Sequence, residues 1–244
     1  MPQQCVNRRR PWPSRAAHCI ANPHDCGDVA ALKLLLVIHI ITGTLAVLAG
    51  TVAVAVRKPV RARRPVHRRA GRVFQWLMAF VLGTAALMTV IRFNAYFAGL
   101  TAAALMGVFS GERVLRRRNG EPAQLLDWVV TLAIIAVASY LGYLLATRQV
   151  TKNVPVVRAL SYGTLSYAFY DVYRFLFPRA WPFRPRLWLY EHIVKMIGGY
   201  SGAVAAFSGS VLVMFPPPWR QLWATFAGWI LAVSMVVYYA RRRA

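Results

Sequence analysis

The stretch Leu189–Tyr200, LYEHIVKMIGGY, sets Glu191, His192 and Lys195 at the opening of a segment that stays apolar as far as Phe215. A charge in a bilayer core costs several kcal/mol, so ionisable groups there face the protein interior, have partners and mark sites. Few other residues qualify. His39 lies within LLLVIHIITGTLAVLAG, Asp171 and Arg174 lie within YDVYRF, and PVHRRAGRVF delivers His67, Arg68, Arg69 and Arg72. Asp171 to Arg174 is an i,i+3 spacing and Glu191 to Lys195 is i,i+4, so each pair can neutralise itself on one helical face. His192 has no such reason to be histidine. With His67 it suits ligation or proton carriage, Arg72 and Arg174 suit a negative group, and Asp171 suits the orienting of an arginine. One cofactor that such a set would hold is haem b, with His67 and His192 as its axial pair. His39 lies roughly 20 Å from His192 along the membrane normal, counted at 1.5 Å per residue, too far to share one haem with it. It can instead bond a neighbouring hydroxyl and hold two helices together.

Other chemistries find little support. There is no G-x-S-x-G, no H-E-x-x-H and no phosphate-binding glycine loop, so an enzyme is the less favoured reading. Cys5, Cys19 and Cys26, with His18, His24 and Asp25, match no zinc-ligand spacing.

Hydrophobic residues make up 58% of the 244 positions, and Lys and Arg number 30 against 7 Asp and Glu, a net charge of +23. So basic a chain raises the question of nucleic acid, and the placement of charge answers against it. The basic residues fall in short runs between apolar stretches, RKPVRARRPVHRR, RVLRRR and the terminal RRR, as loops against anionic lipid headgroups do. A hydrocarbon core about 30 Å thick needs about 20 apolar residues per helix. Stretches of that kind predict an all-α polytopic bundle of seven transmembrane helices, near 31–56, 73–91, 94–112, 125–146, 157–177, 188–214 and 220–240. The third is rich in small residues and the fifth carries charge. The richer basic connections follow helices one, three and five and close the chain, which predicts an N-terminus outside and a C-terminus inside. Trp76, Trp128 and Trp188 near inner helix mouths, and Trp219 and Trp223 near an outer one, agree with that orientation. The N-terminal segment 1–28 dissents, because Arg8, Arg9, Arg10 and Arg15 would lie outside. It reads as a disordered tail, with the true translation start near Val29, ahead of a single transmembrane domain over 29–244. Gly43, Gly50, Gly99, Gly107, Gly198, Gly199 and Gly202 read as surfaces for close helix approach.

LLLVIHIITGTLAVLAG, RRPVHRRAGRVF and YEHIVKMIGGYSGAVAAF together resemble a family of bacterial polytopic membrane proteins of unknown activity. Its pattern is an H-x-x-x-G first helix, an H-R-x-x-G-R basic loop and a late helix with histidine, methionine and small residues. The likeness covers most of residues 31–214 and implies His39, Gly43, His67, Arg68, Gly71, Arg72 and His192 as family positions in a bacterial inner membrane. Three functions stay open. One is a membrane-embedded binding or redox module built on the His67, Arg72, Asp171, Arg174 and His192 cluster. The others are a proton or small-molecule transporter and a non-catalytic scaffold.

Overall fold

Long apolar runs with few breakers give helices, and in the computed structural model the described residues form seven: α1 Pro23–Ala55, α2 Arg64–Ile91, α3 Ala95–Arg116, α4 Leu125–Ala146, α5 Val154–Leu176, α6 Leu187–Val211 and α7 Trp219–Arg241. The described residues are 23–56, 64–178, 186–216 and 219–241, with side chains at 32–56, 65–178, 186–216 and 219–241. Residues 1–22 of the segment expected to be disordered lie outside them, as do the side chains of its cysteines and histidines, whereas 23–28 open α1 as helix. Among the described residues there is no strand. The chain is an all-α polytopic transmembrane bundle. By contact it divides into Met1–Ile38, whose described part is the first half of α1, and His39–Ala244, which holds everything else considered below.

Among the described residues four helices are long and apolar enough to cross a membrane: Leu32–Ala55, Pro65–Ile91, Leu125–Ala146 and Trp219–Arg241. They fit an integral membrane protein. Their outward faces carry large apolar side chains such as Phe80, Val90, Leu132 and Ile230, each more than half exposed. Water would penalise such a belt, whereas lipid matches it. The other three helices are less apolar for a structural reason. α3 packs against α2, α4, α5 and α6, and it buries Ala98, Ala102, Ala104, Met106, Val108 and Ser110. A helix enclosed by other helices has no need of a lipid-compatible surface.

From α2 onward, helices consecutive in the sequence run antiparallel. Ala98 near the start of α3 packs with Leu141 and Leu144 near the end of α4, and Met106 meets Ile134 and Ala168. Phe74 and Met78, early in α2, meet Val108 and Met196. Ile193 and Ile197 of α6 meet Ala232 of α7, with Tyr239 beside them. One end of the bundle therefore gathers the C-termini of α3 and α5 and the N-termini of α4 and α6.

Small residues set the closest approach. A Cβ on Gly107 would stand 2.6 Å from the backbone nitrogen of Gly199, so α3 and α6 touch main chain to main chain. A Cβ on Gly50 would stand 2.5 Å from the Tyr200 ring, whereas one on Gly198 would meet nothing within 4 Å. Of the glycines expected to pack, Gly107, Gly199, Gly50 and Gly99 face tight contacts and Gly43, Gly198 and Gly202 do not.

Three boundaries differ from expectation, the first being α1, which begins at Pro23 rather than near 31. α2 begins at Arg64 rather than near 73, taking His67, Arg68, Arg69 and Arg72 into its first turns. Charge marks where a helix leaves hydrocarbon, not where it stops, and Arg and Ala are good helix formers. α3 likewise runs on to Arg116, starting from an Asn94 cap whose side chain accepts from the backbone of Tyr96 at 3.0 Å.

Candidate functional site

The polar residues of α3, α4, α5 and α6 meet at that shared end in three buried groups. In the first, Asp171 of α5 accepts from the Lys195 ammonium of α6 and from the Ser110 hydroxyl of α3. Lys195 Nζ also donates to Ser110 Oγ at 2.7 Å. The Asp171 and Lys195 side chains are 1% and 3% exposed. A buried ion pair costs desolvation and needs its remaining polar groups satisfied, a part that Ser110 plays here.

The second group sits about a turn further out. Arg174 Nε donates to Glu191 Oε1 at 2.8 Å, the same oxygen accepts from the Tyr170 hydroxyl at 2.5 Å, and Arg174 Nη1 donates to the Phe177 carbonyl at 3.1 Å. The third ties α3 to α4. Arg113 donates to Asp127 through Nε at 2.6 Å and Nη2 at 3.0 Å, and to Gln124 Oε1 at 2.6 Å. The Gln124 backbone N–H closes the loop on Asp127 Oδ2 at 2.8 Å, so one carboxylate both caps α4 and receives α3.

The pairing differs from the one that spacing suggests. Asp171 is not neutralised by Arg174, nor Glu191 by Lys195; the partners are exchanged between helices, Asp171 with Lys195 and Glu191 with Arg174. Self-pairing on one face would leave the charges turned to lipid, while exchange buries them and joins α5 to α6.

Above these groups opens a pocket of about 270 Å³. Its charged lining comprises Arg117, Arg118, Arg174 and Lys195 with Glu121, Asp171 and Glu191, and part of its wall is apolar, from Val114, Pro178, Leu187 and Trp188. Asp171 and Glu191 are committed to Lys195 and Arg174. Arg117 differs from the paired cations: among the described residues it forms no salt bridge, and its Nε is buried without a hydrogen-bond acceptor. Its guanidinium carbon stands 4.5 Å from the centre of the Phe175 ring, and that ring packs edge-on against Trp128 at 5.1 Å. Burial pulls the Arg117 guanidinium down from the ordinary arginine range, opposed by the negative charges of Asp127, Asp171 and Glu191.

Of the residues singled out by sequence, Asp171, Arg174, Glu191 and Lys195 line the pocket, while His192, His67, Arg72 and His39 are not among its lining. His192 gives its Nδ1 proton to the Gly111 carbonyl at 2.9 Å, joining α6 to α3. His67 gives its own to the Ala53 carbonyl at 2.9 Å, joining α2 to α1. His39 Nδ1 lies 2.8 Å from the Thr84 hydroxyl, a contact between α1 and α2. Arg72 is exposed on α2. Ser110, Arg113, Arg117, Asp127 and Tyr170 were not foreseen. The only signal for Asp127 was its place three residues after Gln124 at the opening of an apolar run, a helix-start pattern. Among the described residues no three His, Cys, Asp or Glu side chains are grouped as a metal ion would need. No protein-family model, curated protein or solved structure matches the chain.

Proposed function

We propose that this integral membrane protein is a binding module, holding a small anionic molecule in the pocket at the shared end of α3, α4, α5 and α6. The observation that carries the reading is Arg117. The cations Lys195, Arg174 and Arg113 each have a carboxylate, and Arg117 has an aromatic shelf and a pocket in front of it. A guanidinium desolvated without an anion is costly, and an incoming anion removes that cost. Lys195 and Arg174 then serve as the positive half of a satisfied floor, and Asp171 and Glu191 hold them there. This reading keeps the expected bacterial inner membrane as the location, with the basic end in the cytoplasm and the outer surfaces of the helices in lipid. It also keeps the resemblance to the H-x-x-x-G and H-R-x-x-G-R family.

The test is a small-molecule profile of the protein purified in mild detergent. An anionic species should be enriched with the wild type and lost with Arg117→Gln. Equal recovery from both would reject the pocket as its site.

A second, redox reading rests on the two histidines near this end. His67 and His192 each donate Nδ1–H to a main-chain carbonyl, the kind of contact that orients an iron-bound imidazole. A Soret band in the purified protein that disappears in His192→Ala would support haem b. A colourless preparation from haem-sufficient cells would end that version.

A further inference from the structure

We infer that the ligand of this pocket is a phosphate group carried on an amphiphile, an inference that rests on the anion-binding reading above. The charge available to a ligand belongs to neighbours in sequence. Arg174 has spent its Nε on Glu191 and its Nη1 on the Phe177 and Pro178 carbonyls, and Lys195 is held by Asp171 and Ser110. Arg117 and Arg118 remain, both on the lining and both outside the salt bridges of the described residues. Planar guanidinium forks match the paired oxygens of a phosphate and give two parallel, charge-assisted hydrogen bonds each. Phe175 supports Arg117 from the side, so little side-chain freedom is lost when the anion arrives.

The rest of the lining is wrong for a free inorganic anion. Val114, Leu187 and Trp188 face the same space, and a tryptophan beside a helix mouth suits the boundary between headgroups and acyl chains. Leu115, Leu176 and Phe177, next in sequence to lining residues Val114 and Pro178 or one removed, are exposed and apolar. A volume of about 270 Å³ lies just below the usual range for small-molecule sites, about 300–1,000 Å³. It accommodates a phosphate with a few attached carbons, and a longer chain has an apolar surface to leave along. A phospholipid headgroup and a soluble phosphomonoester share this chemistry.

The experiment uses the full chain in mild detergent, probed separately with short-chain phosphatidic acid, glycerol 3-phosphate, inorganic phosphate and citrate. Binding is read by native mass spectrometry and by the shift in melting temperature. Phosphatidic acid should bind most tightly, and Arg117→Gln should weaken it by roughly tenfold or more, the loss expected for a charge-assisted hydrogen bond. Arg117→Lys, which keeps the charge and loses the fork, should fall between. Arg68→Gln, an exposed change on α2, should leave binding intact, and the unliganded melting temperature verifies that each variant folds. If glycerol 3-phosphate or inorganic phosphate binds as tightly as the lipid, the amphiphile is wrong and a soluble phosphate is the ligand. If citrate alone binds and depends on Arg117, the phosphate inference falls and the anion reading stands. If no probe depends on Arg117, both fall.

Discussion

Lys195 and Asp171 offer the sharpest perturbation. Lys195→Met keeps the side-chain length and strands the Asp171 carboxylate with only the Ser110 hydroxyl; Asp171→Asn keeps the shape and strands the Lys195 ammonium. Each remaining charge stays dry, since the two side chains are 3% and 1% exposed. Removing one partner of such a pair costs about 3–5 kcal/mol, whereas replacing both is often neutral. At about 2–4 °C per kcal/mol for a chain of this size, each single variant should melt at least about 6 °C below wild type. The double variant should recover most of that loss. Tryptophan fluorescence during thermal unfolding in detergent reads all four proteins. A further arm separates the pair from ordinary packing: Asp171→Asn frees Lys195 toward the pocket, so glycerol 3-phosphate should stabilise it more than it stabilises wild type. The ceiling is set by occupancy, about 2.7 kcal/mol at a hundred times Kd. If both single variants melt within about 1 kcal/mol of wild type, or if their losses simply add in the double, the buried pair does not hold α5 to α6 and the reasoning is wrong.

Gly107→Ala should lower stability by about 1–3 kcal/mol, because its new methyl lands 2.6 Å from a backbone atom that cannot rotate away, while Gly198→Ala should stay within about 0.5 kcal/mol; melting of the two variants side by side checks this. Arg113→Met should destabilise more than Arg116→Met, since Arg113 serves a 1% exposed carboxylate and Arg116 an exposed i,i+4 pair, and the same melts decide it. Arg117→Met should melt higher than wild type at neutral pH without ligand, yet lose anion binding. The sign follows from burial, which lowers the guanidinium's proton affinity in the folded chain below the ordinary arginine range. The unfolded chain then binds more protons across the alkaline window between the lowered value and the ordinary arginine one, so the penalty is fully present at neutral pH and fades only as pH rises through that window. A variant that melts lower at neutral pH would contradict it.

Helix number and position were legible because apolar length is a strong signal, and even α3 and α5, with their small and charged residues, fell within a few residues of their places. What spacing could not reveal was the choice of partner. Counting along one helix finds Asp171 with Arg174 and Glu191 with Lys195, since only i,i+3 and i,i+4 neighbours are visible that way. The pairs that form are set by which faces of α3, α5 and α6 turn inward, and Ser110 meets Asp171 and Lys195 across sequence separations of 61 and 85. Serine and tyrosine carry no charge to draw notice, so Ser110 and Tyr170 stayed hidden. Arg117 was hidden differently, within RVLRRR, a run that reads as solvated charge. The inward face of Asp171 and the helix-to-helix role of His39 could be anticipated because an ionisable group amid apolar residues needs a reason to be there.

The interlocked triad of Ser110, Asp171 and Lys195 constrains biogenesis. The ribosome delivers the hydroxyl first, the carboxylate next and the ammonium last, so each earlier segment would enter the bilayer incomplete. A chain halted before residue 187 would carry an unneutralised Asp171 and no route to repair it. Such a truncation should be retained by the insertion machinery or degraded, and separately expressed α6 and α7 should rescue it in trans.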